Sequence, residues 1–404
     1  MTVLLETART ALLAAAVPAK AEPVPLETCW RRVMAEAVVA DMDFPPFDRS
    51  PLDGYALVAA EVEAASFEQP VWLKVVENLP AGRVAVQAIG RGLAARIMTG
   101  APVPAGATGV VRLEDVAAEG GQVAIYHGAG CGDNICVRGE EIAAGERVIL
   151  PGTVINAGVM GLLALLGKDR PLVYQRPRAA IFATGGEVRP VAEPLPPGAI
   201  RNSNSYMLAG QVLEAGGEPV HYSIAPDSTA EIAARLAAAA ECDLVVTTGG
   251  VSVGDYDLMA DAYRAAGITI LFERVSIKPG MPVLAGVKDG RLYLGLSGNP
   301  AAAAIAFEQL VRPVIVKMSG RSNWARPRAR ARLTSPFAKQ TGAPRFLWAR
   351  CTPGEEGLYV QPLSFQGNGM LKSAAAANAL IAIPAHSPPL PAGAEVEVLL
   401  LTGV

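Results

Sequence analysis

The sequence predicts a multidomain protein of the α/β and β classes: a doubly wound parallel-sheet domain, a β-rich domain, a small connecting module and a C-terminal β-barrel. Strand and helix patterns alternate from about 173 to 320, which is typical of a mostly parallel sheet with helices on both faces. Short strands with dense turn signals occupy about 41–140. Five alternating apolar runs follow residue 325 and indicate a small barrel, with a sandwich as the alternative.

The length of the chain permits this division. Its 404 residues are enough for two to four domains, each with a core of its own. The predicted domains are the doubly wound domain (1–20 with 173–322), the connecting module (21–40 with 141–172), the β-rich domain (41–140) and the barrel (323–404). We expect helices in both halves of the connecting module, at VMAEAVV (33–39) and AGVMGLLALLG (157–167).

The N-terminal segment has the pattern of an amphipathic helix. Its apolar residues Val3, Leu4, Ala8, Ala11 and Leu12 recur at helical spacing. The run ALLAAAVPAKA is also similar to a short signal peptide with a small-residue cleavage site. An acidic residue before the run and a single early arginine favour the helix.

Composition excludes several classes of function. The formal net charge of −3 gives no electrostatic basis for binding nucleic acid or an anionic membrane, and no apolar run has membrane-spanning length. Five cysteines without a CxxC pair indicate reduced thiols in a cytoplasmic protein, although Cys131 and Cys136 are close in sequence. Three scattered histidines make a His/Cys zinc site or a histidine-based triad improbable.

Three glycine-containing breaks follow strands of the predicted parallel sheet. They are ATGGE (183–187), TTGGVSVGD (247–255) and LSGNP (296–300). Ligands of doubly wound folds bind beyond the carboxyl ends of the strands. Because all three breaks fall at such ends, we expect them to meet at one site.

The segment TTGGVSVGDYD has the composition of a phosphate-binding loop. Gly249, Gly250 and Gly254 allow backbone amides to approach an anion at a helix N-terminus. Asp255 and Asp257 would repel phosphate, unless Mg²⁺ bridges carboxylate and phosphate oxygens. The alternative is a tight turn in which Asp255 caps the following helix.

Basic and hydroxyl residues follow the next strands. Arg274 and Lys278 are four apart in FERVSIKPGMP, which places both on one face of an extended segment. The alternative is a solvated basic strand edge. Ser297 in GLSGNP ends a strand but is not a nucleophile elbow, because Asn299 stands where that motif needs glycine. Asp53 in DRSPLDGY and Thr99 in RIMTGAPVPAG are, taken alone, typical of ordinary turns.

Taken together, these strings resemble the molybdopterin molybdenumtransferase family, the MoeA proteins and the E domain of gephyrin. The resemblance runs nearly end to end, and its specificity comes from the order of the strings. They are FDRSPLDGYA (47–56), RIMTGAPVPAGA (96–107), VRGEEI (137–142), FATGGEV (182–188), IRNSNSYML (200–208), TTGGVSVGDYD (247–257), SIKPGMP (276–282), GLSGNPAAA (295–303) and QGNGMLKSAAAANAL (366–380).

The resemblance implies a cytoplasmic, elongated four-domain homodimer. It implies that molybdate is inserted into the dithiolene of adenylylated molybdopterin with release of AMP, and that Mg²⁺ is the metal. The implied partners are a second copy of the chain, the molybdopterin adenylyltransferase and apo-molybdoenzymes. By the same analogy, Asp53 and Thr99 of the β-rich domain would reach the site across the dimer interface.

The resemblance also assigns roles to individual residues. The implied catalytic residues are Asp53, Thr99, Glu187, Asp227, Asp255 and Lys278. Among them, Glu187, Asp227 and Asp255 would hold Mg²⁺. The implied substrate-binding residues are Gly249, Gly250, Ser252, Gly254, Arg274, Ser297, Pro300, Arg350 and Ser373.

The chain departs from the family pattern at four positions. Ser297 replaces the first proline of GLPGNP, Glu141 replaces the aspartate of RGED, Asn368 replaces a serine between glycines, and Gly186 replaces the aspartate of ATGDE. These departures favour an alternative, a catalytically weakened paralogue that acts as a binding scaffold. A second alternative is an adenylyltransferase acting on molybdopterin, which the additional β-rich and C-terminal domains disfavour.

Overall fold

The computed structural model describes residues 2–251 and 258–401. The chain divides into two compact units. One consists of Met1–Glu36 and Pro151–Val404, and the other of Ala37–Leu150. The predicted site residues Ser252, Gly254 and Asp255 lie outside the described residues, as does Asp257.

The strands of the first unit form a central sheet, two small pairs and a barrel. In chain order they are β1 (Thr2–Leu4), β2 (Ala21–Pro23), β3 (Leu172–Tyr174), β4 (Arg178–Ala183), β5 (Val188–Arg189), β6 (Ile200–Arg201), β7 (Glu218–His221), β8 (Leu244–Thr248), β9 (Thr269–Ser276), β10 (Pro282–Lys288), β11 (Arg291–Leu296), β12 (Arg328–Leu333), β13 (Arg345–Gly354), β14 (Gly357–Pro362), β15 (Ala379–Ile383) and β16 (Glu395–Leu400).

The central sheet is mostly parallel, as predicted. Within the described residues its strand order is β1-β9-β10-β11-β8-β4-β7. Only β10 runs antiparallel to its neighbours. The strands β4, β8 and β11 are adjacent and parallel, so the loops that follow them leave the same edge of the sheet.

The helices of the first unit are named in chain order. They are α1 (Leu5–Ala15), α2 (Ala157–Leu165), α3 (Asn204–Ala215), α4 (Thr229–Ala238), α5 (Met259–Ala265), α6 (Pro300–Ala306), α7 (Arg312–Met318) and α8 (Leu371–Ala376).

Both faces of the central sheet are buried against helices. Leu244 and Val246 of β8 pack into one core with α1, α3, α6 and α7. Val245, between them, packs into the opposite core with α4 and α5. Successive side chains of a strand point to opposite faces, so an unbroken apolar strand requires two cores. This arrangement confirms the doubly wound prediction.

The long helix predicted from Pro300 contains an irregular turn. Residues Phe307–Val311 adopt a π-helical turn between α6 and α7. Pro313 cannot donate to the carbonyl four residues earlier, and its ring clashes with that carbonyl. The freed oxygen of Gln309 accepts a hydrogen bond from Arg9 Nε at 3.2 Å instead, which ties α1 to this turn.

The predicted N-terminal helix is confirmed as α1, but the residues it buries differ from those that the spacing predicted. Leu4 is in strand β1 and its side chain is 68% exposed, whereas Leu5, Ala8 and Leu12 are buried. Thr2–Leu4 pair in parallel with β9. The pairing with a strand more than 260 residues away removes Leu4 from the helix, which local spacing does not reveal.

The helix predicted at 33–39 is wrong. Val33 bridges to Val154 and Met34 bridges to Val173, whereas the helix at 157–167 is confirmed as α2. The β-branched residues Val38–Val39 form a short strand that pairs with Arg147–Ile149 of the same unit. Pairing with distant segments has overridden the local apolar spacing.

The C-terminal segment forms the predicted barrel. In the described residues it closes in the order β12-β14-β13-β15-β16, and its strands coincide with the five alternating runs. The inward side chains, among them Leu347, Val360 and Ile381, form a separate core. Closure leaves no free strand edge in the barrel.

The second unit is β-rich. A mixed sheet in the described residues has two buried faces, one around Leu73 and Ile125 and the other around Leu79 and Ile97. A short helix, Ala59–Val62, follows the first strand of this sheet. The strands, in spatial order, are Gly109–Arg112, Gly54–Leu57, Leu93–Ile97, Val71–Leu79, Gln122–Ile125 and Val116–Glu119.

Candidate active site

A cavity of about 670 Å³ lies at the carboxyl ends of β4, β8 and β11, within the first unit. The described parts of the three glycine-containing breaks line it together, as the sequence predicted. Predicted site residues in its wall are Glu187, Asp227, Gly249, Gly250, Lys278, Ser297 and Pro300.

The loop after β4 brings two carboxylates together at the cavity. It contains Glu187, and it is hydrogen-bonded to Asp227, which follows β7. Gly185 has φ +138°, and a Cβ at this position would lie 2.7 Å from Glu187 Oε2. The positive φ favours glycine at this position, and the absence of a Cβ leaves room for the Glu187 carboxylate over the backbone. The amide of Gly186 donates to Asp227 Oδ2 at 2.6 Å. Asp227 thus fastens this loop, and the following helix begins only at Thr229.

The loop after β8 packs directly on the loop after β4. Gly249 and Gly250 have φ +97° and +65°, and a Cβ on Gly249 would lie 2.5 Å from Thr184 O. The Gly249 amide was expected to face phosphate, but it donates to Leu296 O at 3.0 Å. This glycine therefore serves close backbone packing, and its amide holds the loops together.

The loop after β11 is fixed from several sides. Ser297 is buried; its Oγ accepts from the Asn299 amide at 3.2 Å, and its carbonyl accepts from Thr248 Oγ1 at 2.9 Å. Helix α6 begins at Pro300, and its amides at Ala301 and Ala302 donate to Asn368 O at 2.9 and 3.2 Å. These two amides of the helix N-terminus are therefore satisfied by the protein itself.

Lys278 enters the cavity from a segment clamped by the barrel. Its amide donates to Pro344 O, and its carbonyl accepts from the Phe346 amide, both at 2.9 Å. The side chain is exposed and lines the cavity. Arg274, predicted to share its face, is half-buried in β9 and is not among the lining residues.

Two further predicted residues lie away from the cavity wall. Arg350 is on β13, where its Nη1 is 3.4 Å from Ala376 O. Ser373 is 3% exposed within α8. Neither residue is among those that line the cavity.

The predicted residues of the second unit contact each other. Asp53 Oδ1 accepts from both the amide and the hydroxyl of Thr99, each at 2.8 Å. The Thr99 amide, followed by its hydroxyl, lowers the pKa of Asp53. Asp53 is therefore a carboxylate over the physiological pH range.

The donor set of the cavity fits Mg²⁺ held in part by substrate. No cluster of three or more His, Cys, Asp or Glu side chains suited to a metal occurs in residues 2–251 and 258–401. Glu187 and Asp227 nevertheless line the cavity together. Mg²⁺ is commonly bound by one or two carboxylates and completed by water and substrate phosphates, so these residues fit the ion.

Sequence reasoning missed Thr184, Arg201, Asn204 and Thr248. Thr184, Arg201 and Asn204 line the cavity, as does Thr248 at the end of β8. Each threonine directly precedes the paired glycines of ATGG or TTGG. This position at a strand end could have identified both as cavity residues. The other two lie in IRNSNSYML, where nothing local distinguishes them from helix-entry residues.

The architecture and the cavity define a doubly wound α/β ligand-binding protein extended by a β-rich unit and a barrel. Profiles of known families match most of the chain. They are the MoeA N-terminal region (domain I and II) over residues 3–167, the probable molybdopterin binding domain over 180–317, and the MoeA C-terminal region (domain IV) over 330–401.

Whole-chain relatives agree with the profiles. The molybdopterin molybdenumtransferase of Bacillus subtilis (strain 168) is 37% identical over 385 residues, covering 94% of this chain and 90% of the relative. The enzyme of the same name from Staphylococcus aureus (strain MRSA252) is 35% identical over 378 residues, covering 93% and 90%. The crystal structure of the molybdopterin biosynthesis MoeA protein from Pyrococcus horikoshii OT3 superposes with TM-score 0.86 at 32% identity, covering 99% and 100%.

The chain belongs to the molybdopterin molybdenumtransferase family, and it is a transferase of molybdenum cofactor biosynthesis. The resemblance inferred from the sequence strings is thereby confirmed. In the described residues, no helix is long and apolar enough to cross a membrane.

Proposed function

We propose that the cavity binds adenylylated molybdopterin and molybdate, and that the chain inserts molybdate into the dithiolene with release of AMP. The observation that supports this most directly is the convergence of Lys278, Glu187 and Asp227 on one cavity. A cation and two carboxylates suit a substrate that combines oxyanions with a divalent metal. The cavity volume of about 670 Å³ is within the ordinary range for sites that enclose a small molecule.

Lys278 is the residue we assign to an oxyanion, either molybdate or a substrate phosphate. Its side chain is exposed and lines the cavity, while its amide and carbonyl are hydrogen-bonded to Pro344 and Phe346 at the start of β13. Hydrogen bonds from ammonium groups to oxyanions are roughly twice as strong as neutral ones. The clamped backbone reduces the conformational freedom that binding must remove.

Glu187 and Asp227 are the residues we assign to Mg²⁺. When bound, the ion neutralises phosphate charge and makes the phosphorus more open to attack by water. Asp227 accepts the Gly186 amide through Oδ2, and this bond would hold its carboxylate at the cavity wall for the ion. Hydrolysis places the oxygen of water on phosphorus and breaks the pyrophosphate bond, which yields AMP and the phosphate monoester of molybdopterin and releases the two protons of water to solvent. We assign Glu187 to hold that water.

Asp53, Thr99 and Asp255 keep the catalytic roles that the resemblance implies, as proposals. Ser252, Gly254, Arg274, Arg350 and Ser373 likewise remain proposed substrate-binding residues. We also propose a cytoplasmic homodimer that works with the molybdopterin adenylyltransferase and supplies apo-molybdoenzymes. Light scattering of the purified chain tests the dimer, and a mass of about 42 kDa would contradict it.

The decisive assay incubates purified chain with adenylylated molybdopterin, molybdate and Mg²⁺. We expect release of AMP together with a product that reconstitutes an apo-molybdoenzyme. Binding of the nucleotide substrate without AMP release would contradict the proposal and identify a scaffold. Formation of an AMP adduct from ATP and molybdopterin would identify an adenylyltransferase instead.

A further inference from the structure

Asn204, the first residue of α3, joins the ends of two strands at the cavity wall. Its side chain is buried, and its Nδ2 donates to Thr248 Oγ1 and to Gly298 O, both at 2.8 Å. The Thr248 hydroxyl in turn donates to Ser297 O at 2.9 Å. One amide group therefore ties the end of β8 to the loop after β11.

We propose that Asn204 is a positioning residue for the transferase reaction. It holds the backbone of 297–299 against the end of β8, and this fixes the part of the cavity between the two loops. The proposal depends on the proposed function, because the substrates it concerns are adenylylated molybdopterin and molybdate. It assigns Asn204 no contact with the reacting atoms.

The chemistry of the amide makes this role specific to asparagine. Both hydrogens of Nδ2 are used, one by each partner. Rotating the amide would set Oδ1 against the Gly298 carbonyl, and two acceptors repel each other. Oδ1 is buried and has no hydrogen-bond partner among the described residues, so the two Nδ2 bonds are the attachments that hold the side chain.

The loops that Asn204 joins have little room to move independently. The Gly249 amide donates to Leu296 O at 3.0 Å, and a Cβ on Gly298 would lie within contact distance of Gly249 Cα, at 3.6 Å, so the two loops lie close together. Gly249 and Gly298 both line the cavity. A shift of one loop therefore changes the shape of the site, and a misplacement of about 1 Å can reduce a catalytic rate about 100-fold.

The same helix offers a matched control. Gln211 is two turns further along α3, and its Nε2 donates to Ala304 O at 3.1 Å. Its Oε1 is also buried without a partner in the described part of the chain. Gln211 is not among the residues that line the cavity. Its truncation removes a comparable amide–carbonyl bond without touching the two loops.

The test compares Asn204→Ala, Asn204→Asp and Gln211→Ala in the AMP-release assay, with thermal unfolding of each. We expect kcat to fall about 10- to 100-fold in both Asn204 variants, while KM for adenylylated molybdopterin changes less than threefold. Gln211→Ala should keep kcat within about twofold at a similar loss of melting temperature. Equal effects of Asn204→Ala and Gln211→Ala on kcat would overturn the proposal.

A double-mutant cycle separates positioning from general destabilisation. Thr248→Val keeps the volume at Thr248 and removes its hydroxyl. If Asn204 acts through this hydroxyl, the double variant Asn204→Ala/Thr248→Val should be little slower than Asn204→Ala alone. Fully multiplicative losses would overturn the proposal. Should Asn204→Ala fail to fold, Asn204→Asp and Thr248→Val still provide the comparison.

Failure of the proposed function is distinguishable from failure of this inference. If wild-type chain releases no AMP, the proposed function fails. In that case amide hydrogen exchange at Gly298 and Asn299, in the loop that Asn204 holds, replaces kcat as the readout. Exchange at least about tenfold faster in Asn204→Asp than in Gln211→Ala would support the positioning role, and equal exchange rates would contradict it.

Discussion

Asp53 accepts two hydrogen bonds from Thr99 through a single carboxylate oxygen, one from the amide and one from the hydroxyl, each at 2.8 Å. The two residues are separated by 46 positions in the sequence, and both were predicted to be catalytic. Their contact means that Thr99 stabilises the Asp53 carboxylate and fixes its orientation. Substitution of either residue should therefore disturb the other.

Thr99→Val should raise the pKa of Asp53 toward its ordinary value, because the hydroxyl bond that stabilises the carboxylate is lost. In wild type the lowered pKa contributes stability at pH values above the unfolded pKa, and this contribution is lost as pH falls through the folded pKa. NMR titration of the Asp53 carboxyl measures the change. Thr99→Ser keeps the hydroxyl and is the control; an unchanged pKa in Thr99→Val would contradict the prediction.

Removing charge from Glu187 or Asp227 should weaken the response to Mg²⁺. In Asp227→Asn the carbonyl oxygen can still accept the Gly186 amide, so the loop is kept while the charge is lost. We expect the Mg²⁺ concentration for half-maximal AMP release to rise by at least about tenfold in Asp227→Asn and Glu187→Gln. Asp261→Asn on the exposed face of α5 is the control. Turnover that persists unchanged in EDTA would show the metal assignment to be wrong.

Lys278→Ala should lose oxyanion binding. The substitution removes the ammonium but keeps both backbone hydrogen bonds, to Pro344 and Phe346, so folding should be preserved. We expect kcat/KM to fall about 10- to 100-fold, because a hydrogen bond to a charged group is worth about 1.5–3 kcal/mol. Lys288→Ala removes the same charge where the side chain donates to Ala266 O, outside the cavity wall. Similar losses in both variants would contradict the assignment.

Glu308→Ala should destabilise the first unit strongly. Arg326 donates to both carboxylate oxygens of Glu308 at 3.0 Å, and Glu308 is 4% exposed. Burial, followed by the charge of Arg326, lowers the pKa of Arg312 to about 10. Removing Glu308 leaves Arg312 and Arg326 without their buried carboxylate. We therefore expect the free energy of unfolding, measured with denaturant, to fall by about 3–5 kcal/mol. The exposed pair of Asp261 and Arg264 is the control, where Asp261→Ala should cost less than about 1 kcal/mol.

Tyr222 should make folding sensitive to alkaline pH. Desolvation, followed by its hydrogen bond to Glu241, raises its pKa from 10.0 to about 12. A raised pKa contributes stability that is present below pH 10 and is lost as pH rises toward 12. Burial also raises the pKa of Tyr263 and Tyr293, so ultraviolet titration should show several late tyrosines, and the step near pH 12 should be absent in Tyr222→Phe. A wild-type titration identical to that of the variant would contradict the prediction.

Much of the fold could be predicted because its elements have strong local patterns. The run LVVTT at 244–248 is buried on both faces, and its unbroken apolar character indicated a covered parallel strand. Local patterns failed where distant pairing decides the structure. Val33 and Met34 bridge to residues more than 100 positions away, and the antiparallel strand β10 was missed.

The site was predictable to the extent that strand ends determine it. Strand–helix alternation implied a parallel sheet, and Glu187 and Ser297 meet because they follow β4 and β11 on either side of β8. Asp227 follows β7, which pairs in parallel with β4, whereas Lys278 follows β9 and is held by hydrogen bonds to residues 344 and 346. The role of Asn204 was not predictable, because it depends on two side-chain bonds between segments 44 and 94 residues apart. The hydrogen bonds from the α6 amides to Asn368 O were not predictable either, because α6 and Asn368 are far apart in the sequence and come together only when the chain folds.

The most direct test of the central claim is a single-turnover measurement of AMP release and molybdenum incorporation on the same sample. Wild-type chain with adenylylated molybdopterin, molybdate and Mg²⁺ should give both products in equal amounts. Lys278→Ala and Glu187→Gln should give neither at a comparable rate, while Lys288→Ala behaves as wild type. Equal rates in wild type and both cavity variants would show that the reaction does not take place in the cavity at the carboxyl ends of β4, β8 and β11.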